Sequence, residues 1–356
     1  MRHLGIVASS TPNITPPTVS VSTVTNFNQS IATLNGTVSA NNGLTTTIKF
    51  QTSTDNSNWS DATGGTAITN TSSNNVSVYY NATGFPTPGA TYYVRLVATN
   101  AAGTTNSSST SFITWNYKTP YTKTTAGADT LSIPTVTPTG GSAVIPSIYD
   151  VIMFGGGGGS GYGGGGGGGY RSLASQSFNN ASNLLLEITV GDLGTGADGT
   201  SSEIKNTSFT AITATGGKYG GGSLNSNGGN SGSGTNAAQS GGNGGTWSYV
   251  VAKSTFTTYG AGGGGGAGGA GGAASWPQNP ALDGTIGGNG GAQVTVTRSG
   301  YSYTGGGGGG GYGNVGPGNG GNGTSGGTAG SYGLGGTYGV GGQTAGMVFF
   351  RYFGPP

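Results

Sequence analysis

Between residues 14 and 114 the apolar residues of the chain alternate with Ser, Thr and Asn. Val19/Val21, Ala32/Leu34, Ile48/Phe50, Val76/Val78/Tyr80 and Tyr92/Val94/Leu96/Ala98 each recur at every second position. A period of two turns one side of an extended strand to a core and the other to water, so these runs predict half-buried antiparallel strands. Several such strands, separated by turn residues within about 100 residues, predict a two-sheet sandwich. Trp59 is a candidate core aromatic of that module. No polar or aromatic cluster stands out in it, which favours a spacer over a ligand-binding module.

The pattern changes after residue 114. Pro120, Pro134, Pro138 and Pro146 stand among many Thr between 115 and 147, predicting a linker that carries one short strand, 130–133, into the next domain. Beyond it, conventional strands are predicted at 149–154, 184–190, 209–215 and 347–353, and they bracket tracts of glycine. With residues 1–13 as an N-terminal attachment segment, the predicted divisions are 14–114, 115–147 and 148–356.

Glycine supplies 81 of the 356 residues, about 23% where roughly 7% is usual. The tracts run in threes. The stretch from Ala261 to Ala273 parses as Ala-Gly-Gly, Gly-Gly-Gly, Ala-Gly-Gly, Ala-Gly-Gly, Ala, and 240–246 and 286–292 parse in the same way. Gly327, Gly330, Gly333, Gly336, Gly339 and Gly342 hold one register. Three is the period of neither an α-helix nor a strand, but of the polyproline-II helix. Collagen shares it, yet these tracts have almost no Pro and the register resets repeatedly. In the all-glycine version the backbone N–H and C=O groups point sideways and bond to neighbouring chains, with Cα–H···O contacts as a smaller contribution. In a two-layer stack of such helices, two of the three side-chain columns face other backbones. The third faces out and carries Ala, Asn, Ser or Thr. The predicted fold is therefore all-β: a β-sandwich followed by packed polyglycine-II helices bordered by strands.

Two resemblances attach to these patterns. The stretch from Phe85-Pro86-Thr87-Pro88-Gly89 through Tyr92-Tyr93-Val94-Arg95-Leu96 to Asn100-Ala101-Ala102-Gly103 resembles the E–F corner and F strand of fibronectin type III domains. Tyr92 stands where that family has its corner tyrosine. In the second part, a β run leads into glycines 155–159, Gly161-Tyr162, glycines 163–169 and Tyr170-Arg171. This resembles the glycine-rich domain of phage and marine viral tail proteins, as do Ile188-Thr189-Val190-Gly191, Thr213-Ala214-Thr215-Gly216-Gly217 and the terminal Gly346-Met347-Val348-Phe349-Phe350-Arg351-Tyr352. The likeness spans 148 to 356 and is similar to the tip adhesins of T-even-like long tail fibres, where stacked polyglycine helices display receptor-binding loops. A fibronectin-like module stands here in place of an attachment domain matching those adhesins. The resemblance implies a non-enzymatic virion protein of a tail fibre or similar appendage. Its implied partners are a host cell-surface receptor (protein or glycan), other fibre proteins and further copies of itself.

Charge and reactive groups narrow the chemistry. Eleven Lys and Arg are scattered among nine acids, with no Cys and one His. Disulfides and zinc–thiolate sites are excluded, and a basic nucleic-acid face is not predicted. No stretch approaches the roughly 18–20 apolar residues of a membrane span. His3 has no partner acid nearby, and the many G-x-G-x-x-G matches follow from composition, with no G-K-[ST] after any of them. Asp192, Asp198 and Glu203 are spaced for no complete calcium loop. No catalytic residue, cofactor or metal is assigned. The start Met1-Arg2-His3-Leu4-Gly5-Ile6-Val7 falls short of a signal peptide's apolar core, which with the Ser/Thr/Asn/Gly-rich composition suggests release by lysis within a virus particle.

What remains is aromatic display. Trp247, Tyr249, Phe256 and Tyr259 lie in a hairpin-like segment, 246–259, that interrupts the glycine. Arg298, Tyr301 and Tyr303 lie in a second, 293–304, turning at Ser299-Gly300, and Trp276 lies between the two. Loops on rigid scaffolds carry binding function, and Tyr, Trp and Arg bring large contact area at low entropic cost. These eight residues are the candidate receptor contacts. The competing reading is that they shield the glycine stack or meet sister copies in a purely architectural subunit such as a capsid decoration, fibre shaft or filament. Flat glycine-helix faces also raise ice binding as a third class.

Overall fold

The computed structural model describes residues 14–28, 30–40, 44–65, 68–70, 73–135, 148–177, 184–206, 209–224, 226–234, 241–242, 245–251, 254–275, 286–298, 300–312, 332–337 and 341–355. The attachment segment expected at 1–13 lies outside them. Every regular element among the described residues is a β-strand, and every strand pairing is antiparallel. The all-β class is as the sequence indicates. The described residues fall into two compact units, one ending at Lys118 and regaining the chain from Phe353, the other drawn from residues between Thr119 and Tyr352.

In the first unit Thr18–Val21, Ile31–Ser39 and Val76–Thr83 form one sheet. Thr46–Ser53 and Thr91–Asn100 form the centre of the other, extended by Ser60–Asp61, Ile68–Asn70, Gly103–Asn106 and Thr110–Ile113. The period-two residues meet in one core: Leu34, Val38, Val78 and Ala82 from the first sheet, Ile48, Phe50, Val94 and Leu96 from the second. Gly36 breaks the apolar series between Leu34 and Val38 because the opposite sheet fills its place. A Cβ there would lie 2.8 Å from Leu96 Cδ2 and 2.7 Å from the Ser20 carbonyl. Phe85 closes one end of the core, its ring 4.9 Å from Tyr92 and 5.1 Å from Phe112. Trp59 is not a core residue. It is only half-buried, beneath the Arg95 guanidinium at 4.4 Å, because Arg95 occupies an outward position of its strand, and both Nε and Nη2 of Arg95 donate to Gln51 Oε1.

Residues 115–135, expected as a linker with one strand, are largely strand. Tyr121–Lys123 pairs with the chain-closing strand Met347–Gly354, and Gly127–Ile133 pairs at all seven positions with Leu184–Val190. The prolines punctuate this segment: Pro134 follows the last paired residue, where a missing N–H costs no ladder bond. The rest of the expected linker, 136–147, lies outside the described residues.

In the second unit residues 347–352 of the strand Met347–Gly354 lie between Ile148–Phe154 on one side and Tyr121–Lys123 on the other. Tyr170–Ser177 extends the sheet beyond Ile148–Phe154. Both faces of this sheet are covered, which explains the unbroken apolar run Met347, Val348, Phe349, Phe350, all fully buried. One face, with Val151, Met153, Val348 and Phe350, packs on Leu186, Ile188, Ile204 and Ile212 of a four-stranded sheet. The other, with Ile152, Phe154, Met347 and Phe349, packs on the hairpin Val294–Arg298/Tyr301–Gly305.

Between these strands the glycine tracts bond to one another in steps of three. Gly163, Gly166 and Gly169 donate to the carbonyls of Gly221, Lys218 and Thr215. Gly164 and Gly167 donate to Gly262 and Gly265, and Gly165 and Gly168 to Gly336 and Gly333. A step of three along the tract is a step of three along each neighbour, as a three-residue turn requires. Its carbonyls accept from three further segments: Gly155 and Gly158, Gly229 and Gly232, and Gly309. Six segments thus surround one tract. The three columns where side chains would stand are filled by carbonyls. A Cβ on Gly166 would overlap that of Asn230, on Gly167 that of Gly306, and on Gly168 that of Gly155. Seven glycines run without interruption here because no column is open. Two layers supply neighbours only beside and opposite, so the expected two-layer stack is too thin around this tract.

Further out, the X-Gly-Gly pattern has the meaning the sequence suggested. Ile286, Asn289 and Ala292 are exposed while Gly287, Gly288 and Gly291 are buried, and Asn227 and Asn230 are exposed beside buried Gly229 and Gly232. Ala261 and Ala267 depart from it, being buried. They flank Gly264, where a Cβ would overlap the Gly165 carbonyl, so the column admits methyl groups only at the ends of the contact. The single register expected through Gly342 also breaks. Thr337 and Gly341 each donate an N–H to the other's carbonyl, at 2.8 and 3.0 Å, so these two residues bond to each other and not in steps of three along a neighbouring tract. Gly327, Gly330 and Gly339 lie outside the described residues.

Gly166→Ala is expected to destabilise the fold by at least about 3 kcal/mol, because its methyl group meets backbone with no flexible neighbour to yield. At exposed Gly222 the nearest atom to an added Cβ is the Tyr219 hydroxyl at 3.7 Å, so Gly222→Ala should stay within about 1 kcal/mol of the parent. Chemical unfolding of both variants checks this, and equal stability would contradict the enclosed tract.

Candidate functional site

Six junctions between a strand and a glycine tract fall at the same end of the tracts. Phe154 leads into Gly155, Gly169 into Tyr170, Val190 into Gly191, Ala214 into Thr215, Gly305 into Gly306 and Gly346 into Met347. The bonds Gly155 to Gly169, Gly169 to Thr215 and Gly346 to Gly191 hold these junctions level. Ser202, fully buried, fastens them further: its Oγ donates to the Phe154 carbonyl at 2.6 Å and accepts the Gly191 N–H at 2.9 Å. Gly306 and Gly333 enter their tracts with φ of 72° and 60°, a left-handed turn that suits glycine. The opposite, far end carries the turn 160–162, the residues after Gly221, Ala261 and Tyr312. It is marked by Gly163 bonding to Gly221, Gly262 to Ser226 and Ala261 to Tyr312.

The eight candidate contacts divide between the two ends. Trp247, Tyr249, Phe256 and Tyr259 lie on the hairpin Gly245–Val251/Ser254–Gly260, which runs directly into Ala261 and so joins the tracts at the far end. Its register sets position 249 opposite 256 and 247 opposite 258. Positions 247, 249 and 256 thereby fall on one face of the ladder and 259 on the other. Trp276 lies outside the described residues. The residues on either side of its segment, Ser275 and Ile286, bond to each other through both N–H groups, and Gly288 bonds to Ala261.

Arg298, Tyr301 and Tyr303 belong to the strand end. The Tyr303 ring lies 5.5 Å from Phe349 and 6.2 Å from Tyr332, and Tyr301 lies 4.9 Å from Phe349. Arg298 Nε donates to Ser172 Oγ at 2.9 Å. Beneath the hairpin, Arg351 and Asp150, cross-strand partners, form a buried ion pair at 3.4 Å, with the Arg351 guanidinium 5.4 Å from the Tyr301 ring. This hairpin covers the closing strand.

Three tyrosines outside the candidate set mark the far end. Tyr162 and Tyr312 meet edge to face, ring centroids 5.3 Å apart and planes at 74°, with the Tyr312 N–H donating to the Tyr162 carbonyl. The Tyr219 hydroxyl closes on Gly161, 2.5 Å from the position a Cβ would take. Each of the three adjoins glycine at the last residues of a tract: Gly161-Tyr162-Gly163, Tyr219-Gly220 and Gly311-Tyr312. That placement was the available signal, and a search for non-glycine interruptions passes over single residues.

The acids assemble no metal centre. Among the described residues no three His, Cys, Asp or Glu side chains converge as one would. Asp198 instead accepts from Lys218 Nζ at 2.8 Å and from the Tyr219 N–H at 2.7 Å, and these bonds, the Lys218 bond foremost, hold its carboxyl below its ordinary range. Glu203 faces Lys205 at 3.5 Å. The chain matches no protein-family model, and no curated protein matches it in sequence.

Tyr303→Ala should lower stability by about 2 kcal/mol, as loss of a half-buried aromatic does; unchanged melting would show that the hairpin does not cover the closing strand. The Asp198–Lys218 pair is exposed, so Lys218→Ala should cost less than about 1 kcal/mol at neutral pH. Because the folded-state pKa of Asp198 is depressed, this contribution is present above the unfolded carboxyl pKa, about 4, and fades as pH falls through the folded value. Unfolding curves of parent and variant should converge on acidification; divergence would contradict the pairing.

Proposed function

We propose that this chain is a non-enzymatic structural protein of a viral tail fibre or similar appendage, and that the far end of its glycine tracts contacts a receptor on the host surface. One observation carries the reading. A rigid bundle, bonded backbone to backbone, holds at one end the aromatic hairpin Gly245–Val251/Ser254–Gly260, while the strands that lock the bundle lie at the other. Binding segments displayed from a rigid scaffold are the usual arrangement for recognition. The likeness of the glycine domain to phage and marine viral tail proteins supports the same reading. The first unit, two packed sheets with a likeness to fibronectin type III, serves as a spacer.

A second reading is a purely architectural subunit, and the strand-end hairpin favours it, because Tyr301 and Tyr303 face the protein's own closing strand. Exchanging the far-end hairpin separates the two. Virions carrying a hairpin in which Trp247, Tyr249 and Phe256 are all replaced by Ser should assemble normally and adsorb to host cells at least about tenfold more weakly. Normal adsorption would leave the architectural reading, and failed assembly with intact folding would place the hairpin between copies.

A further inference from the structure

We infer that the outer face of the sheet Thr18–Val21, Ile31–Ser39 and Val76–Thr83 binds a neutral saccharide, with Tyr79 as the stacking ring. This contact belongs to the first unit and stands apart from the far-end contact proposed above, so the unit does more than set a spacing. At 66% exposure Tyr79 is the most exposed large hydrophobic side chain among the described residues. Ser77 and Asn81 are exposed on either side of it, while Val78 and Ala82 between them are buried. The rings of Tyr80 and Tyr92 in the same unit each pack on another ring, at 6.3 and 4.9 Å, and Trp59 lies under the Arg95 guanidinium. Among the described residues no ring packs on Tyr79 and no group bonds its hydroxyl.

Charge decides what kind of ligand fits. No charged residue stands anywhere from 4 to 48 or from 62 to 94, spans that contain all three strands of this sheet. The other sheet carries the charges, with Lys49 paired to Asp61 at 2.9 Å and Arg95 held by Gln51. An ionic ligand on the outer face around Tyr79 would surrender hydration and find no opposite charge on these strands. The ligand this face suits is uncharged.

The polar groups around the ring narrow the class. The register places Asn35 directly opposite Tyr79, Thr37 opposite Ser77 and Thr33 opposite Asn81. Thr33 Oγ1 donates to Asn81 Oδ1 at 3.0 Å, and Asn35 Nδ2 donates to the Thr23 carbonyl at 2.9 Å and to Thr25 Oγ1 at 3.0 Å. These bonds orient both amides. They leave the Asn81 Nδ2 donor, the Asn35 Oδ1 acceptor and the hydroxyls of Thr37 and Ser77 without a described partner. A pyranose presents a face of C–H bonds, slightly positive, which stacks on the negative face of an aromatic ring as ring edges do. Its hydroxyls then meet donors and acceptors on both flanks of the ring. A protein partner needs a more apolar centre, since interface cores are about 65% apolar. Ile31, also exposed on this face, is four residues from Asn35 along the strand, about 13 Å away, too far to widen the ring into such a centre. Residues 31–38 pair at all eight positions with 76–83, so the platform is ordered before any ligand arrives and loses little further entropy on binding.

The test presents the full-length protein, in many copies on beads, to an array of neutral and charged glycans, with dextran, mannan and galactan among the neutral probes and alginate and dextran sulfate among the charged ones. Many copies multiply a weak single contact. Binding to at least one neutral glycan is expected. It should be lost after periodate, which cleaves vicinal diols of sugars, and should change less than about twofold between about 0.05 and 0.5 M NaCl. Tyr79→Ala should weaken it at least about tenfold, and Tyr79→Phe should hold within about threefold because the ring survives. Ser77→Arg lays a charged side chain across the ring and should also abolish binding, which decides the matter where Tyr79→Ala folds poorly. Binding to no neutral glycan, binding to charged glycans alone, or binding unmoved by the changes at 79 and 77 overturns the proposal. Self-association that Tyr79→Ala abolishes overturns it too, assigning the face to a second copy.

Discussion

Leaving a buried backbone N–H without a partner costs about 1–3 kcal/mol, and the seven glycines from 163 to 169 bury seven of them. No regular helix or sheet satisfies these groups. They are satisfied because each successive N–H finds a different neighbouring tract, in rotation, and every third returns to the same one. That rotation demands backbones near enough to bond in every direction around the tract. Side chains would forbid such proximity, since a Cβ on any of the seven would overlap a neighbour's carbonyl. The absence of side chains is therefore the packing interaction. Ordering glycine carries an unusually large entropic cost, and the lateral bonds must outweigh it.

The strands hold the tracts in register. Six junctions from strand to tract lie at one end, tied by Ser202 and by bonds between the first residues of the tracts. Residues 347–352 of the closing strand Met347–Gly354 lie between two neighbouring strands, so the last part of this unit in sequence is among its most central in space. The buried pair of Asp150 and Arg351 joins it to the strand that opens the glycine domain. Breaking one member of such a pair is far more damaging than the pair itself is stabilising, which makes this ion pair a constraint on the register of the two strands. Among the described residues the far end carries no buried ion pair of this kind, and the hairpin Gly245–Val251/Ser254–Gly260 adjoins the tracts there.

Much of this was legible in the sequence. Period two marked the core positions of the first unit, and Val94, Leu96 and Ala98 lie where it placed them. Period three marked the tracts, with outward residues such as Asn289 and Ala292 at its free column. The number of layers was not legible, because a triplet register reveals which column is open and is silent when, as in 163–169, none is. Trp59 was misplaced because an aromatic in a strand-rich module has two partners open to it, a core or an arginine, and sequence does not show Arg95 turned outward above it. The segment around Pro120 and Pro134 read as linker because prolines at strand boundaries and prolines in a linker look alike. The eight aromatic and arginine candidates were chosen as one set, since sequence shows that they interrupt glycine and conceals at which end of a tract each interruption falls.

The central claim is that these glycines are a hydrogen-bonded core, and amide hydrogen exchange addresses it directly. Exchange resolved to residues 163–169 in the native protein should be slow, with opening free energies close to that of global unfolding, because every one of these glycines is buried and its N–H is hydrogen-bonded. Exchange at the rate of a free glycine-rich chain, with the flanking strands Ile148–Phe154 and Met347–Gly354 still protected, would show that the tract is a linker and that the account is wrong.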